Sequence, residues 1–89
     1  MPKIVLTHDI QDLDRWLEGK QERAATIESG GGSNVQDYVA HDGSNRIAVT
    51  ADVDDPSALK AMVESPPAEV VAIMESHGVI QPISVYVEA

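Results

Sequence analysis

Three histidines are the residues of this sequence best suited to proton transfer or metal binding. They are His8, His41 and His77. The first two each precede an aspartate, and an imidazole beside a carboxylate can serve as an acid–base pair or as part of a metal site. No motif of the H-E-x-x-H type occurs. We therefore predict no metal site and treat the histidines as candidate proton-transfer groups.

The strands that must position these histidines follow from short β-branched runs bounded by turn residues. The second and third strands flank Asp42-Gly43-Ser44-Asn45, which is typical of a hairpin turn. The predicted strands cover residues 3–8, residues 35–42, residues 46–53 and a last segment through Ile83, Val85 and Val87.

Two helical segments connect these strands. The first is predicted to begin after the capping residue Asp12 and to run to Ser29, weakened at Gly19. The second begins after Asp54 or Asp55, is interrupted at Pro66-Pro67 and ends near His77. The order β-α-β-β-α-β favours one α+β domain over residues 1–89. Its predicted fold is ferredoxin-like, a four-stranded antiparallel sheet with both helices on one face.

This topology brings all three histidines towards one edge of the sheet, because the first two strands run in one direction and the last two in the other. The third strand separates strands one and two, so His8 and His41 lie about 10 Å apart. The last strand neighbours the first. His8 and His77 are therefore the pair that we predict to be catalytic if the protein is an enzyme.

Alternation along the strands divides their side chains between two faces. One set is almost wholly aliphatic and should meet the helices: Ile4, Leu6, Val35, Val39, Ile47, Val49, Ala51, Val53, Ile83, Val85 and Val87. The other set mixes small, hydroxyl and aromatic groups: Val5, Thr7, Gln36, Tyr38, Ala40, Ala48, Thr50, Asp52, Ser84 and Tyr86. The second face is too apolar for open solvent and too polar for a dry core, so we expect another copy of the chain to cover it.

The semi-polar face also carries the predicted ligand contacts. These are Thr7, Tyr38, Thr50, Asp52, Ser84 and Tyr86, with Trp16 of the first helix nearby. Phenol groups could hydrogen-bond a ligand while their rings contact it. Each of these residues also has an ordinary alternative: Trp16 could pack in the core, the tyrosines could anchor a dimer, and Asp52 could face water.

Composition limits the partners and the compartment. The 89 residues carry a net charge of −9, which disfavours nucleic acid and anionic membranes as partners. The sequence has no cysteine and no long apolar stretch, and we expect a cytoplasmic protein. A chain this short buries a small core, which favours self-association.

The element order resembles the dimeric α/β-barrel superfamily, which includes the antibiotic-biosynthesis monooxygenase-like domains. The residues that carry the resemblance are the first strand from Lys3 to His8, Asp14-Arg15-Trp16, Gly78-Val79-Ile80 and the last strand from Ile83 to Val87. The resemblance implies a homodimer with a ligand cavity between sheet and helices or within the barrel. Its haem-degrading members use an asparagine on the first strand, where this chain has Thr7 or His8, and a later tryptophan that this chain lacks. We therefore predict no cofactor.

Three functions stay open at this point. The leading prediction is a homodimer that binds a small organic ligand in a cavity at the sheet face. The first alternative is a cofactor-independent oxygenase or isomerase-like enzyme that uses His8 or His77. The second alternative is a structural dimer without a ligand.

Overall fold

The computed structural model describes residues 2–89. Its elements are β1 (Lys3–Ile10), α1 (Leu13–Glu18), α2 (Lys20–Ser29), β2 (Gly32–Val39), β3 (Arg46–Val53), α3 (Pro56–Glu64), α4 (Ala68–Ser76) and β4 (Val79–Val87). The strands form one sheet in the order β2-β3-β1-β4, and every neighbouring pair is antiparallel. This is the ferredoxin-like α+β arrangement, as the sequence predicts.

The core lies between one face of the sheet and the helices. Alternate residues of β1 and β3 are buried there, beginning with Ile4 and Ile47. Trp16, Ile27 and Leu59 reach the same core from α1, α2 and α3. The opposite face of the sheet is not covered by any element of residues 2–89.

The predicted division of the sheet faces is confirmed by the register, which pairs Val39 with buried Ile47 and Val87 with buried Ile4, but the edge strands are less well covered than the middle strands. Val39 and Val87 belong to the aliphatic set, yet they are 51% and 50% exposed, because β2 and β4 form the edges of the sheet. On β2 the residue aligned with buried Val49 is Asp37. The helix-covered face therefore contains a carboxylate that the aliphatic pattern did not include.

The helix caps follow the sequence closely. Asp12 accepts hydrogen bonds from the backbone N–H groups of Asp14 and Arg15 and begins α1. Asp55, the second of the two predicted caps, begins α3 in the same way. The second helical segment is interrupted at Pro66-Pro67, as predicted, and His77 caps the end of α4.

The prediction of one continuous helix from Asp12 to Ser29 is wrong. The chain forms two helices that meet at Gly19, which ends α1 and begins α2. A Cβ atom on Gly19 would overlap Nε2 of His77. The break therefore places a residue without a side chain where the imidazole of α4's cap approaches the backbone.

Strand β2 also differs from its prediction, since it begins at Gly32 and ends at Val39. Gly31 precedes it with φ of +96°, a conformation that glycine adopts without strain. His41 consequently lies in the β2–β3 loop and not at the end of a strand. No helix within residues 2–89 has both the length and the apolar character needed to span a bilayer.

Candidate functional site

Two cavities lie on opposite sides of the sheet. The first, which we call the inner cavity, measures about 80 Å³ and lies between the sheet and helices α2, α3 and α4. The second, which we call the outer depression, is an open hollow of about 530 Å³ on the uncovered face. Of the predicted site residues, His8 lines both cavities, others line one of them and the rest line neither.

The inner cavity has an apolar wall with a few polar groups. Six side chains from α3 and α4 form much of the wall: Leu59, Met62, Val63, Val70, Ile73 and Met74. The polar side chains at the wall are His8, Arg23, Thr26 and His77. A mainly hydrophobic enclosure with a small number of polar groups is the usual composition of a small-molecule site.

His8 lies on the helix-covered face of the sheet. The residue of β3 directly opposite His8 is Ile47, which is buried against the helices. Because directly opposed residues share a face, His8 lies on the side of the helices too. Burial lowers the pKa of His8 from the ordinary 6.5, and the positive charge of Arg23 acts in the same direction. Its Nδ1 lies 2.9 Å from the carbonyl oxygen of Asp9. The lowered pKa favours the neutral imidazole, and the backbone contact fixes its orientation.

Arg23 is a buried cation at the cavity wall. Its Nε and Nη2 donate to the two carboxylate oxygens of Asp37, at 3.4 and 3.0 Å. Its Nη1 donates to the carbonyl oxygen of Trp16 at 3.0 Å, and the guanidinium lies 3.9 Å from the centre of the Trp16 ring. The carboxylate fixes the guanidinium from one side and the indole from another, so Arg23 is held rigidly.

His77 is buried where α4 meets the junction of α1 and α2. Its Nε2 lies 2.9 Å from Oε1 of Glu22, and its ring rests against Gly19. Arg15 holds the same end of α4, because its Nε donates to the carbonyl oxygen of Ser76 at 2.8 Å and its Nη2 donates to that of Glu75. These contacts give His77 a clear structural role beside its place at the cavity wall.

Whereas His8 and His77 both line the inner cavity, His41 is exposed in the β2–β3 loop and lines neither cavity. Its neighbour Asp42 accepts a hydrogen bond from the backbone N–H of Ser44 at 2.9 Å, and this bond lowers the pKa of the carboxyl group. The aspartate thus stabilises the turn. Within residues 2–89, no group of three His, Asp or Glu side chains lies close enough together to hold a metal ion.

The predicted ligand contacts do not all meet. Thr7, Tyr38 and Ser84 line the outer depression, together with the ion pair of Asp9 and Arg46. The other three strand residues lie on the same face but outside the depression. In the register of the sheet, Thr50 is paired with Gln36, Asp52 with Lys3 and Tyr86 with Val5. Trp16 is fully buried in the core on the other side of the sheet, so the structure does not place it beside these residues.

Sequence reasoning missed Arg23 and Asp37. Arg23 lies in a polar stretch of α2 that gives no sign of burial. Asp37 did offer a signal, because it lies between Val35 and Val39 on the aliphatic side of an alternating strand. A charged residue at such a position requires a buried partner.

No protein-family model matches this chain, and no curated protein matches it. Solved structures match it over nearly its whole length. One from Bordetella bronchiseptica, provisionally assigned as an antibiotic biosynthesis monooxygenase, has a TM-score of 0.73 at 13% identity, covering 99% of this chain and 94% of its own. Another, described as an antibiotic biosynthesis monooxygenase, has a TM-score of 0.65 at 15% identity, covering 100% and 97%.

A third solved structure comes from a Bacteroides thetaiotaomicron protein of unknown function. Its TM-score is 0.61 at 11% identity, and the match covers 98% of this chain and 96% of that one. At such identities the likeness establishes the shared fold. The predicted resemblance to monooxygenase-like ferredoxin folds is confirmed at that level.

Proposed function

We propose that this protein is a homodimer that binds a small organic molecule in the inner cavity of each subunit. The observation that carries the proposal is the composition of the cavity wall. Aliphatic and methionine side chains surround a neutral His8 and a rigid Arg23, which suits an apolar molecule with one polar end. Two solved structures of this fold are named as antibiotic biosynthesis monooxygenases, and a small organic ligand agrees with that description.

The size of the cavity restricts the ligand. At about 80 Å³ it is smaller than the engineered cavity of about 150 Å³ that binds benzene. Binding of even a single ring therefore requires α3 and α4 to move outward. No residue of α4 is buried, and residues 65–67 link the two helices without regular structure, so the start of α4 moves most easily, while Arg15 and buried His77 hold its end.

A second copy of the chain is the proposed cover for the open sheet face. Its charges occur as opposite pairs, Lys3 with Asp52 and Asp9 with Arg46, so the face can complement itself. Tyr86, 59% exposed, is the kind of aromatic residue that interfaces favour.

The second copy would also enclose the outer depression. Thr7, Tyr38 and Ser84 remain predicted ligand contacts there. A net charge of −9 argues against nucleic acid or an anionic membrane on this face. The cytoplasmic location stays a prediction.

Native mass spectrometry of freshly purified protein tests both parts of the proposal. We expect a mass twice that of the chain and a retained small molecule on part of the population. Thr50→Glu, in the middle of the open face, should give monomers. The control Ser57→Glu, on an exposed position of α3, should remain dimeric. A monomeric wild-type protein would contradict the dimer, and failure to bind any single-ring aromatic compound would contradict the ligand site.

His8 favours an enzyme as the second candidate function. A neutral imidazole at an apolar cavity can accept a proton from a bound substrate, as a cofactor-independent oxygenase or isomerase requires. His77 is less available, because its Nε2 already contacts Glu22. With a molecule recovered from the native protein, His8→Ala should abolish turnover in the enzymatic case. Turnover that survives this substitution would exclude His8 from the mechanism.

A further inference from the structure

His8 lines both the inner cavity and the outer depression, and one of its ring nitrogens is a free hydrogen-bond acceptor. A carbonyl oxygen only accepts, so the contact between Nδ1 of His8 and the carbonyl of Asp9 requires the proton to be on Nδ1. In the neutral ring, Nε2 then carries a lone pair and no proton. Because His8 lies at the cavity wall, a ligand there meets an acceptor from this residue.

Arg23 offers the complementary donors. A guanidinium has five N–H bonds, and Arg23 directs one from each of its three nitrogens to Asp37 or Trp16. One N–H on each terminal nitrogen has no protein partner. The ion pair with Asp37 balances the charge, so these donors suit an oxygen atom without requiring a fully charged ligand.

The other polar groups of the wall are already engaged. The hydroxyl of Thr26 donates to the carbonyl oxygen of Glu22 at 2.9 Å, and Nε2 of His77 contacts the carboxylate of the same residue. Thr26 keeps its hydroxyl oxygen as an acceptor and His77 keeps its other ring nitrogen, but His8 is the acceptor whose pKa is lowered by burial and by the charge of Arg23, so these two residues lie near each other.

We infer that His8 and Arg23 together select ligands that carry a hydroxyl group on their apolar body. The hydroxyl donates its hydrogen to Nε2 of His8, and its oxygen accepts an N–H of Arg23. A single oxygen thus satisfies both residues, which neither a hydrocarbon nor an ether can do. This inference rests on the proposed function, since it assigns the ligand class of the inner cavity.

Two probes of nearly equal shape test the inference. 4-Fluorophenol carries a hydroxyl group where 4-fluorotoluene carries a methyl group. Titration followed by ¹⁹F NMR gives a Kd for each probe. Two hydrogen bonds to the hydroxyl group predict at least tenfold tighter binding of 4-fluorophenol, equivalent to about 1.4 kcal/mol. Equal Kd values would overturn the inference while leaving the cavity as a binding site. Binding of neither probe would overturn the inference and the proposed function together.

Variants assign the preference to its residues. His8→Phe keeps a ring and removes the acceptor, and Arg23→Met combined with Asp37→Leu removes the donors without leaving a buried carboxylate. Each should reduce the preference for 4-fluorophenol by about threefold or more while the Kd of 4-fluorotoluene changes little. The control Thr26→Val changes a wall hydroxyl that already has a partner and should keep the preference. A preference that persists in both test variants would contradict the assignment.

Discussion

The two helix pairs that cover the sheet are packed in different ways. Helices α1 and α2 bury Trp16, Arg23 and Ile27, and they hold Arg23 through an ion pair and a stacked indole. Helices α3 and α4 bury only Leu59. The first pair fixes the polar groups of the site, and the second forms a less tightly packed wall. A ligand-binding region is expected to draw its mobile part from the less stable end of a fold.

The largest expected effect comes from removing one charge in the tightly packed half. The side chains of Arg23 and Asp37 are only 10% and 7% exposed. Arg23→Met leaves Asp37 as an uncompensated buried carboxylate, and we expect the free energy of unfolding in urea to fall by about 3–5 kcal/mol.

The matched control removes both charges. Arg23→Met with Asp37→Leu should lie within about 1 kcal/mol of the wild type, because apolar replacements of a buried ion pair are often neutral. If the single variant were as stable as the double variant, the ion pair would not be the feature that fixes this half of the molecule.

The next effect concerns the contact between the two halves. Gly19→Ala would improve helix propensity by up to about 1 kcal/mol, but its Cβ would overlap the ring of His77. We expect the steric overlap to outweigh the gain in helix propensity, and the free energy of unfolding to fall by about 1–3 kcal/mol.

Gly30→Ala is the control for this change. Gly30 has ordinary φ, and the nearest atom to its added Cβ is 3.5 Å away. The Gly30→Ala variant should be as stable as the wild type or slightly more stable. A stabilised Gly19→Ala variant would mean that His77 is free to move away from α1 and α2.

The loosely packed half should accept added volume. Val70→Ile places one methylene at the wall of the inner cavity, and we expect a gain in unfolding free energy of up to about 0.8 kcal/mol. The same variant should weaken binding of 4-fluorophenol. Ala51→Val, in the fully buried core, should instead lose about 1–3 kcal/mol. Equal losses at both sites would remove the distinction between the two halves.

The smallest effect is the pH dependence contributed by His8. Its pKa is lowered in the folded state, so the unfolded chain takes up the proton first as the pH falls below 6.5. Folding stability therefore decreases in that range. His8→Phe should reduce the slope of unfolding free energy against pH between pH 5 and 6.5. An unchanged slope would show that His8 does not contribute to the pH dependence of folding stability.

Local sequence signals predicted the frame of this molecule. Aspartates placed before apolar runs identified Asp12 as the first side-chain cap and limited the second to Asp54 or Asp55, because capping depends on residues two or three positions apart. Strand alternation predicted the faces of β1 and β3, because it too depends only on neighbouring residues of one strand. These features require no knowledge of distant residues.

The site depends on contacts that no local pattern contains. Gly19 breaks a helix where His77, from the far end of the chain, packs against it. Arg23 is buried because Asp37 of β2 and Trp16 of α1 surround it. Sequence reasoning placed Trp16 correctly on the apolar stripe of its helix, but only the packing shows which side of the sheet it occupies.

NMR of methyl groups during titration with 4-fluorophenol tests the central claim most directly. Met62 and Met74 line the inner cavity, whereas Ala48 lines the outer depression. Binding in the inner cavity predicts that the two methionine methyl signals shift with a single Kd while that of Ala48 stays in place. A shift of Ala48 with unchanged methionine signals would place the ligand on the open sheet face and contradict the account.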